Sequence, residues 1–197
     1  MRLLIVLWVS WCGLHSLLIT TMVSRWFSSK GGRWWAFYRL GYVVFSLGTL
    51  LPVLWYTNTL PGHPMVPLFA WFRVLQGLLF IYSLVLFIGG LRVYDLRAFL
   101  GIRQWRAYRD GQPIAPLVFN RTGVLRYVRH PWYSGGLALL WALPDLTDVA
   151  VVTRTILSCY FVVGALLEER KLNAAFGEPY REYCREVPML LPWKFGR

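Results

Sequence analysis

The sequence has few acidic side chains and few cysteines. Nine Asp and Glu residues stand against 21 Lys and Arg in 197 residues, so the net charge is +12. The three cysteines (Cys12, Cys159 and Cys184) form no CxxC pair and no Cys/His cluster. This pattern indicates neither a disulfide framework nor a zinc site, and we predict no bound metal.

Charge is also nearly missing from three long apolar runs, at residues 3–23, 37–56 and 68–91; Arg39 and Arg73 lie near the starts of the last two. Each run has about the 20 residues that cross roughly 30 Å of hydrocarbon as a helix. We therefore predict an all-α integral membrane protein. The first run is too long for the core of a signal peptide and no A-x-A-like site follows it, so it is expected to stay as a transmembrane helix.

Basic residues alternate with these runs. Four of them lie around the join of the first two runs: Arg25, Lys30, Arg33 and Arg39. Residues 92–131 carry eight Arg against two Asp, whereas residues 57–67 carry no charge and residues 144–148 carry −2. The positive-inside rule then places the N-terminus outside and both basic loops in the cytoplasm. Because the Arg residues flank membrane helices, topology and anionic lipid headgroups explain them, and no nucleic-acid partner is predicted.

The second half of the chain predicts a surface segment and then a helical hairpin. Residues 96–108 have helical spacing and are expected to lie on the membrane surface until the break at Gly111-Gln112-Pro113. Residues 132–143 are only 12 residues long, about 18 Å of helix, and end at Pro144. Residues 149–167 are long enough to return across the membrane.

These runs together predict about five transmembrane helices. The last two form a hairpin with a short fourth helix, and a cytoplasmic loop and C-terminal helices complete the fold. Residues 1–91 are expected to form a three-helix membrane platform. Residues 92–197 are expected to carry the loop, the hairpin and the site.

Some polar and small residues in the first helices have structural interpretations. His15 is interpreted as a buried, hydrogen-bonded histidine, with a metal or haem ligand as the alternative. Three glycines are interpreted as close helix contacts: Gly41, Gly48 and Gly77. Three prolines are expected to form a stiff turn: Pro61, Pro64 and Pro67.

Ionisable side chains bracket the hairpin. Pro131 suits the first turn of a helix, so Arg129 and His130 lie just ahead of a helix start that favours an anionic ligand. The alternative is a simple helix cap with interfacial side chains. At the other end, carboxylates are disfavoured at a helix C-terminus, so the helix carrying Glu168 and Glu169 is expected to continue to about residue 176. A solvated ion pair is the alternative for Glu169.

Two motifs carry a resemblance to a known family. They are Gly123-x-x-Arg126-Tyr127-x-Arg129-His130-Pro131-x-Tyr133-x-Gly135 and Glu168-Glu169-x-x-Leu172-x-x-x-Phe176-Gly177-x-x-Tyr180-x-x-Tyr183-x-x-x-Val187-Pro188. Together they resemble the isoprenylcysteine carboxyl methyltransferase superfamily. Upstream residues, including Leu14-His15-Ser16, resemble its bacterial branch, which includes methanethiol S-methyltransferase and NnrU-type proteins.

The resemblance implies an S-adenosylmethionine-dependent methyltransferase in the bacterial inner membrane, with its site on the cytoplasmic side. The family's cofactor contacts fall on His130, Pro131, Tyr133, Gly135, Glu168 and Glu169, and the positions that close the pocket fall on Tyr180 and Tyr183. The catalytic candidates are Arg129 and His130, whose positive charge would favour a thiolate. The carboxyl methyltransferases carry an arginine a few residues before the Glu pair, and here residues 164–167 have none. A small or lipophilic thiol is therefore the expected acceptor.

Other functions stay open from the sequence. They are methylation of a prenylcysteine carboxylate or a phospholipid, an NADPH-dependent reduction as in the related sterol reductases, a haem-binding isomerase or non-enzymatic factor of the NnrU type with His15 as ligand, and an inactive scaffold. Membrane lipid is an expected partner. The oligomeric state has no sequence signal.

Overall fold

The structure is a computed structural model that describes residues 1–65, 69–113 and 118–193. Nine α-helices and one 3-10 helix account for most of these ranges, and the only β pairing among them is an isolated bridge between Pro64 and Thr147. The α-helices are α1 Arg2–Leu18, α2 Thr21–Lys30, α3 Gly32–Thr59, α4 Ala70–Val93, α5 Leu96–Phe99, α6 Ile102–Arg109, α7 Pro131–Ala142, α8 Asp148–Phe176 and α9 Glu178–Glu186. The 3-10 helix is Gly123–Arg126.

Three described helices, α3, α4 and α8, are long and apolar enough to cross a membrane. The pair α1 and α2 passes the same test together but is bent by 46°. The prediction of an all-α integral membrane protein is therefore confirmed. The count of five crossings stays a prediction, because α7 has only 12 residues.

The first apolar run does not form one straight helix as predicted. Helix α1 ends at Leu18, and the side chain of Thr20 accepts a hydrogen bond from the backbone N–H of Val23 at the start of α2. A threonine that caps a helix in this way favours a new start over continuation. The run at residues 3–23 is therefore broken near its end.

One compact unit comprises Met1–Pro61 and Tyr94–Leu117. Within it, His15 lies 3.1 Å from Ser46 Oγ through Nδ1 and 2.6 Å from the Tyr42 hydroxyl through Nε2. The prediction of a hydrogen-bonded histidine is confirmed, although the side chain is half-buried rather than buried. The segment predicted at residues 96–108 is helical but consists of two helices, because Gly101, in the left-handed region at φ 84°, separates α5 from α6; its place on the membrane surface stays a prediction.

The second compact unit comprises Gly62–Val93 and Val118–Arg197, and in it α4 packs along α7. Glycines allow the close packing of α4 on α7 and of α7 on α8. A Cβ on Gly90 would lie 2.1 Å from Nε1 of Trp132, and one on Gly136 would lie 2.8 Å from the Phe161 ring of α8. The three glycines chosen from the sequence are wrong, because a Cβ on any of them would meet no described atom within 4 Å: Gly41, Gly48 and Gly77.

A buried arginine that the sequence analysis overlooked closes the turn between α7 and α8. Arg154 of α8 is 6% exposed and donates to the backbone carbonyls that end α7 and follow it, at distances of 2.7–3.2 Å: those of Leu143, Pro144 and Asp145. A cation at a helix C-terminus satisfies carbonyls that have no intrahelical partner.

The loop before α4 pairs with the same turn. The backbone N–H of Met65 donates to the Leu146 carbonyl at 2.8 Å, and Asp148 accepts from the backbone N–H of His63 at 2.9 Å. Of the predicted proline turn, Pro64 joins this pairing and Pro67 lies outside the described residues.

Candidate functional site

The starts and ends of two helices bring the site together. Pro131 is the first residue of α7, and His130 precedes it as the N-cap. Helix α8 continues without a break past Leu167 to Phe176 and ends at Gly177, whose φ is 63°. The predicted continuation of α8 is confirmed, so the two glutamates lie within a helix rather than at its end.

Glu169 is the centre of a buried polar cluster. The guanidinium of Arg129 donates to both of its carboxylate oxygens at 2.9 Å, through Nε and Nη2. The Oε1 atom also accepts from His130 Nε2 at 2.7 Å and from the Tyr180 hydroxyl at 2.8 Å. The side chains of Glu169, Arg129 and His130 are only 14%, 9% and 2% exposed. The solvated ion pair considered for Glu169 is therefore wrong.

The tail following α9 is tied to the segment before α7. Backbone N–H groups of Arg129 and His130 donate to the carbonyls of Pro188 and Met189 at 3.0 and 3.1 Å. A guanidinium nitrogen of Arg129 also donates to the carbonyls of Cys184, at 3.1 Å, and Val187. The sequence motif contained Val187 and Pro188, but nothing in the pattern showed that their backbone holds Arg129 in place.

Tyr183 has a separate role from Tyr180. Its hydroxyl donates to the Leu125 carbonyl at 2.6 Å, and its ring packs against Phe119 and Tyr180. Both tyrosines are 2% exposed. Tyr183 therefore fixes α9 to the 3-10 helix, whereas Tyr180 belongs to the Glu169 cluster.

The remaining predicted site residues lie around this cluster. Glu168 is 43% exposed, and its Oε2 lies 3.9 Å from His130 Nδ1. The Tyr133 ring stands edge-on to His130, and a Cβ on Gly164 would come within 3.0 Å of it. Gly135 instead faces α4, where a Cβ would lie 3.3 Å from Cβ of Leu86.

The structure thus brings Arg129, His130, Glu169 and Tyr180 into one network and leaves Glu168 at its exposed edge. The sequence did not indicate two further polar contacts near the site. The Cys184 thiol lies 3.4 Å from Glu169 Oε2, and the buried Ser134 hydroxyl lies 2.9 Å from that of Tyr82. Within the described ranges, no group of three or more His, Cys, Asp or Glu side chains is placed to hold a metal.

The Cys184 thiol is expected to react slowly with alkylating reagents. Burial raises its pKa, although the Arg129 guanidinium opposes this effect, so little thiolate exists at neutral pH. In a variant with Cys12→Ser and Cys159→Ser, we expect iodoacetamide to modify Cys184 more slowly at pH 7 than a free cysteine. A rate equal to that of free cysteine would show that the thiol is not shielded.

Alkaline pH is expected to destabilise the fold. Burial and, for Tyr180, the hydrogen bond to Glu169 raise the pKa values of Tyr180 and Tyr183 above the ordinary value of 10.0. A raised pKa contributes stability below the unfolded value that is lost as pH rises beyond it. The thermal midpoint in detergent should therefore fall above about pH 10. Tyr180→Phe should reduce this fall, and an unchanged fall would argue against the assignment.

Comparison with known proteins identifies the family to which this membrane protein belongs. Methanethiol S-methyltransferase of Crocosphaera subtropica is 34% identical over 163 residues, which cover 79% of this chain and 61% of that protein. The protein of the same name from Mycobacterium tuberculosis is 30% identical over 173 residues, covering 82% and 68%. Nurim of Bos taurus is 26% identical over 172 residues, covering 82% and 63%.

The chain belongs to the family of these methanethiol S-methyltransferases, which confirms the predicted resemblance. It spans 61% to 68% of the length of these relatives. No family model and no solved structure matches it.

Proposed function

We propose that the protein is an integral membrane methyltransferase that transfers a methyl group from S-adenosylmethionine to a small or lipophilic thiol. The observation that carries this proposal is the buried network around Glu169, which joins His130 at the start of α7 to Tyr180 of α9. Relatives that bear the name methanethiol S-methyltransferase support the same reaction.

The two glutamates are proposed to have different roles, Glu169 in holding the site together and Glu168 in binding the cofactor. Glu169 already accepts from Arg129, His130 and Tyr180, so its carboxylate holds the site together. Glu168 is the partly exposed member, and the only ion pair that its side chain forms with a described residue is the 3.9 Å approach to His130. An available carboxylate beside a helix start suits the hydroxyl and cationic groups of S-adenosylmethionine. The residues present therefore fit this cofactor.

The other proposed cofactor contacts surround Glu168. His130 is the N-cap of α7, and Pro131 and Tyr133 lie in its first turn, at the positive end of the helix dipole. Tyr180 and Glu169 form the buried side of the proposed pocket. Gly135 and Tyr183 are proposed to act through packing, because Gly135 lies against α4 and Tyr183 binds the Leu125 carbonyl.

The chain's own residues would position the acceptor and exclude water. S-adenosylmethionine supplies an electrophilic methyl group, and holding the acceptor sulfur in line with it can provide much of the rate. A thiol attacks as thiolate, which nearby positive charge favours. Both catalytic candidates, Arg129 and His130, contact the Glu169 carboxylate, and His130 Nδ1 also faces Glu168 at 3.9 Å, so His130 is the candidate nearer the exposed edge of the cluster.

The alternation of basic and uncharged connections supports the proposed topology. The N-terminus would lie outside and the site, with the C-terminal helix, in the cytoplasm. A bacterial inner membrane is the proposed location.

The acceptor is proposed to be small. No arginine precedes the glutamates within residues 164–167, so a carboxylate substrate lacks its expected partner there. Gly164 also packs closely against the Tyr133 ring, since a Cβ there would lie 3.0 Å from the ring, so little space is left between them. The haem alternative loses support, because both ring nitrogens of His15 already have hydrogen-bond partners.

Transfer of a labelled methyl group from S-adenosylmethionine tests the proposal. Purified protein in lipid nanodiscs would be assayed with methanethiol, longer alkanethiols, a prenylcysteine and phosphatidylethanolamine. We expect methylation of one or more of the thiols. Transfer only to the prenylcysteine carboxylate or the phospholipid would contradict the proposed acceptor, and transfer to none of them would contradict the proposed activity.

A further inference from the structure

An open groove lies within the first compact unit, among α1, α2 and α3. Its volume is about 560 Å³, which falls in the range of small-molecule sites. The walls are almost entirely apolar and aromatic, and they include Leu14, Leu18, Phe27, Phe37 and Phe45. The 46° bend between α1 and α2 places residues of both helices around the same space.

A cation lies on the wall of this otherwise apolar groove. Arg33, in the first turn of α3, lines it, and Lys30 ends α2 just before the turn at Gly31. Each cation lies 5.5 Å from a tryptophan ring centre, Lys30 from Trp26 and Arg33 from Trp34. Tryptophan prefers the membrane–water interface, so this end of the groove belongs at the level of lipid headgroups.

The charge around this end has one sign. Residues 19–41 hold four Lys and Arg and no Asp or Glu. Neither Lys30 nor Arg33 forms an ion pair with a described residue, and both are exposed. An apolar channel that ends at unbalanced cations matches an amphiphile with a hydrocarbon chain and an anionic head.

We propose that this groove binds one anionic phospholipid, with an acyl chain along the aromatic walls and its phosphate beside Arg33. The inference is independent of the proposed methyl transfer, because every residue that it uses lies in the unit formed by Met1–Pro61 and Tyr94–Leu117. A zwitterionic lipid has no net charge for these cations, so it would bind more weakly.

Native mass spectrometry of the full-length protein in detergent can count bound lipid. Dioleoyl phosphatidylglycerol and dioleoyl phosphatidylcholine would be titrated against the wild type and two variants. Arg33→Gln removes the cation and should weaken phosphatidylglycerol binding about fivefold, since one basic residue near a membrane surface is worth about 1 kcal/mol. Gly41→Leu places a side chain in the groove and should weaken binding of the same lipid by obstruction.

Matched controls are available for both variants. Gly48→Leu lies on the same helix, and a Cβ there also meets no described atom within 4 Å, but Gly48 does not line the groove. Arg73→Gln removes an exposed arginine near the start of α4. Both controls should bind phosphatidylglycerol as the wild type does.

Three results would overturn the proposal. One is equal binding of the two lipids by the wild type. Another is unchanged phosphatidylglycerol binding in either Arg33→Gln or Gly41→Leu. The third is a protein dimer that Gly41→Leu disrupts without altering bound lipid, which would show that a second copy of the chain occupies the groove.

Discussion

Glu169→Gln is expected to destabilise the protein by about 3 kcal/mol, because breaking a buried ion pair leaves the remaining charge buried without a partner. The substitution leaves the guanidinium of Arg129, which is 9% exposed, without its carboxylate partner. It also removes the charge that accepts from His130 and Tyr180. For a chain of this size, the thermal midpoint should fall by roughly 10 °C.

Glu168→Gln is the matched control for this loss. The two glutamates are neighbours on α8, but Glu168 is 43% exposed and forms only a long contact with His130. Its substitution should move the midpoint very little, since an exposed pair contributes about 0–1 kcal/mol. Thermal unfolding of both variants in the same detergent measures the difference. Equal shifts would mean that Glu169 is not the centre of the network.

Gly90→Leu is expected to have an effect of similar size through packing. A Cβ at this position would lie 2.1 Å from Nε1 and 2.4 Å from Cδ1 of Trp132. The indole belongs to the first turn of α7 and is large and half-buried, so relieving the overlap requires the indole to rotate out of its place or α4 and α7 to separate. Overpacking of this kind typically costs about 1–3 kcal/mol, and we expect a clear loss of folded protein.

The same change elsewhere on α4 provides the comparison. Gly77→Leu lies on that helix, and a Cβ there would meet no described atom within 4 Å. It should leave the yield of monodisperse protein in detergent unchanged. If Gly90→Leu gives the same yield and thermal midpoint as Gly77→Leu, the close packing of α4 on α7 is wrong.

Local chemistry made the start of α7 and the end of α8 predictable. Pro131 lacks a backbone N–H and therefore suits a first turn, and it begins α7 as expected. Gly177 tolerates a positive φ and ends α8, as the sequence indicated. In each case the residue itself determines the boundary, so no distant contact was needed.

Features that depend on distant contacts were not predictable. Gly77 and Gly90 look alike in the sequence, but only Gly90 meets an indole from another helix. Arg154 lies within an apolar run, and its role depends on carbonyls that α7 brings to it. Such partners become visible only when the helices are packed together.

In the site, too, local features were predictable from the sequence and distant contacts were not. The motif correctly grouped Arg129 and His130 with the glutamate pair, yet 40 residues separate Arg129 from Glu169. Helical periodicity puts adjacent residues on different faces, but the sequence does not indicate which of the two glutamates enters the network. The structure makes Glu169 the less exposed member, with 14% of its side chain exposed, and Glu168 the more exposed one, with 43%.

Isothermal titration of the purified protein with S-adenosylhomocysteine is the most direct test of the proposed cofactor site. The account predicts saturable binding at one site per chain, weaker binding by the stably folded Glu168→Gln variant, and no comparable binding of NADPH. Selective binding of NADPH, or S-adenosylhomocysteine affinity that is the same in the wild type and Glu168→Gln, would contradict it.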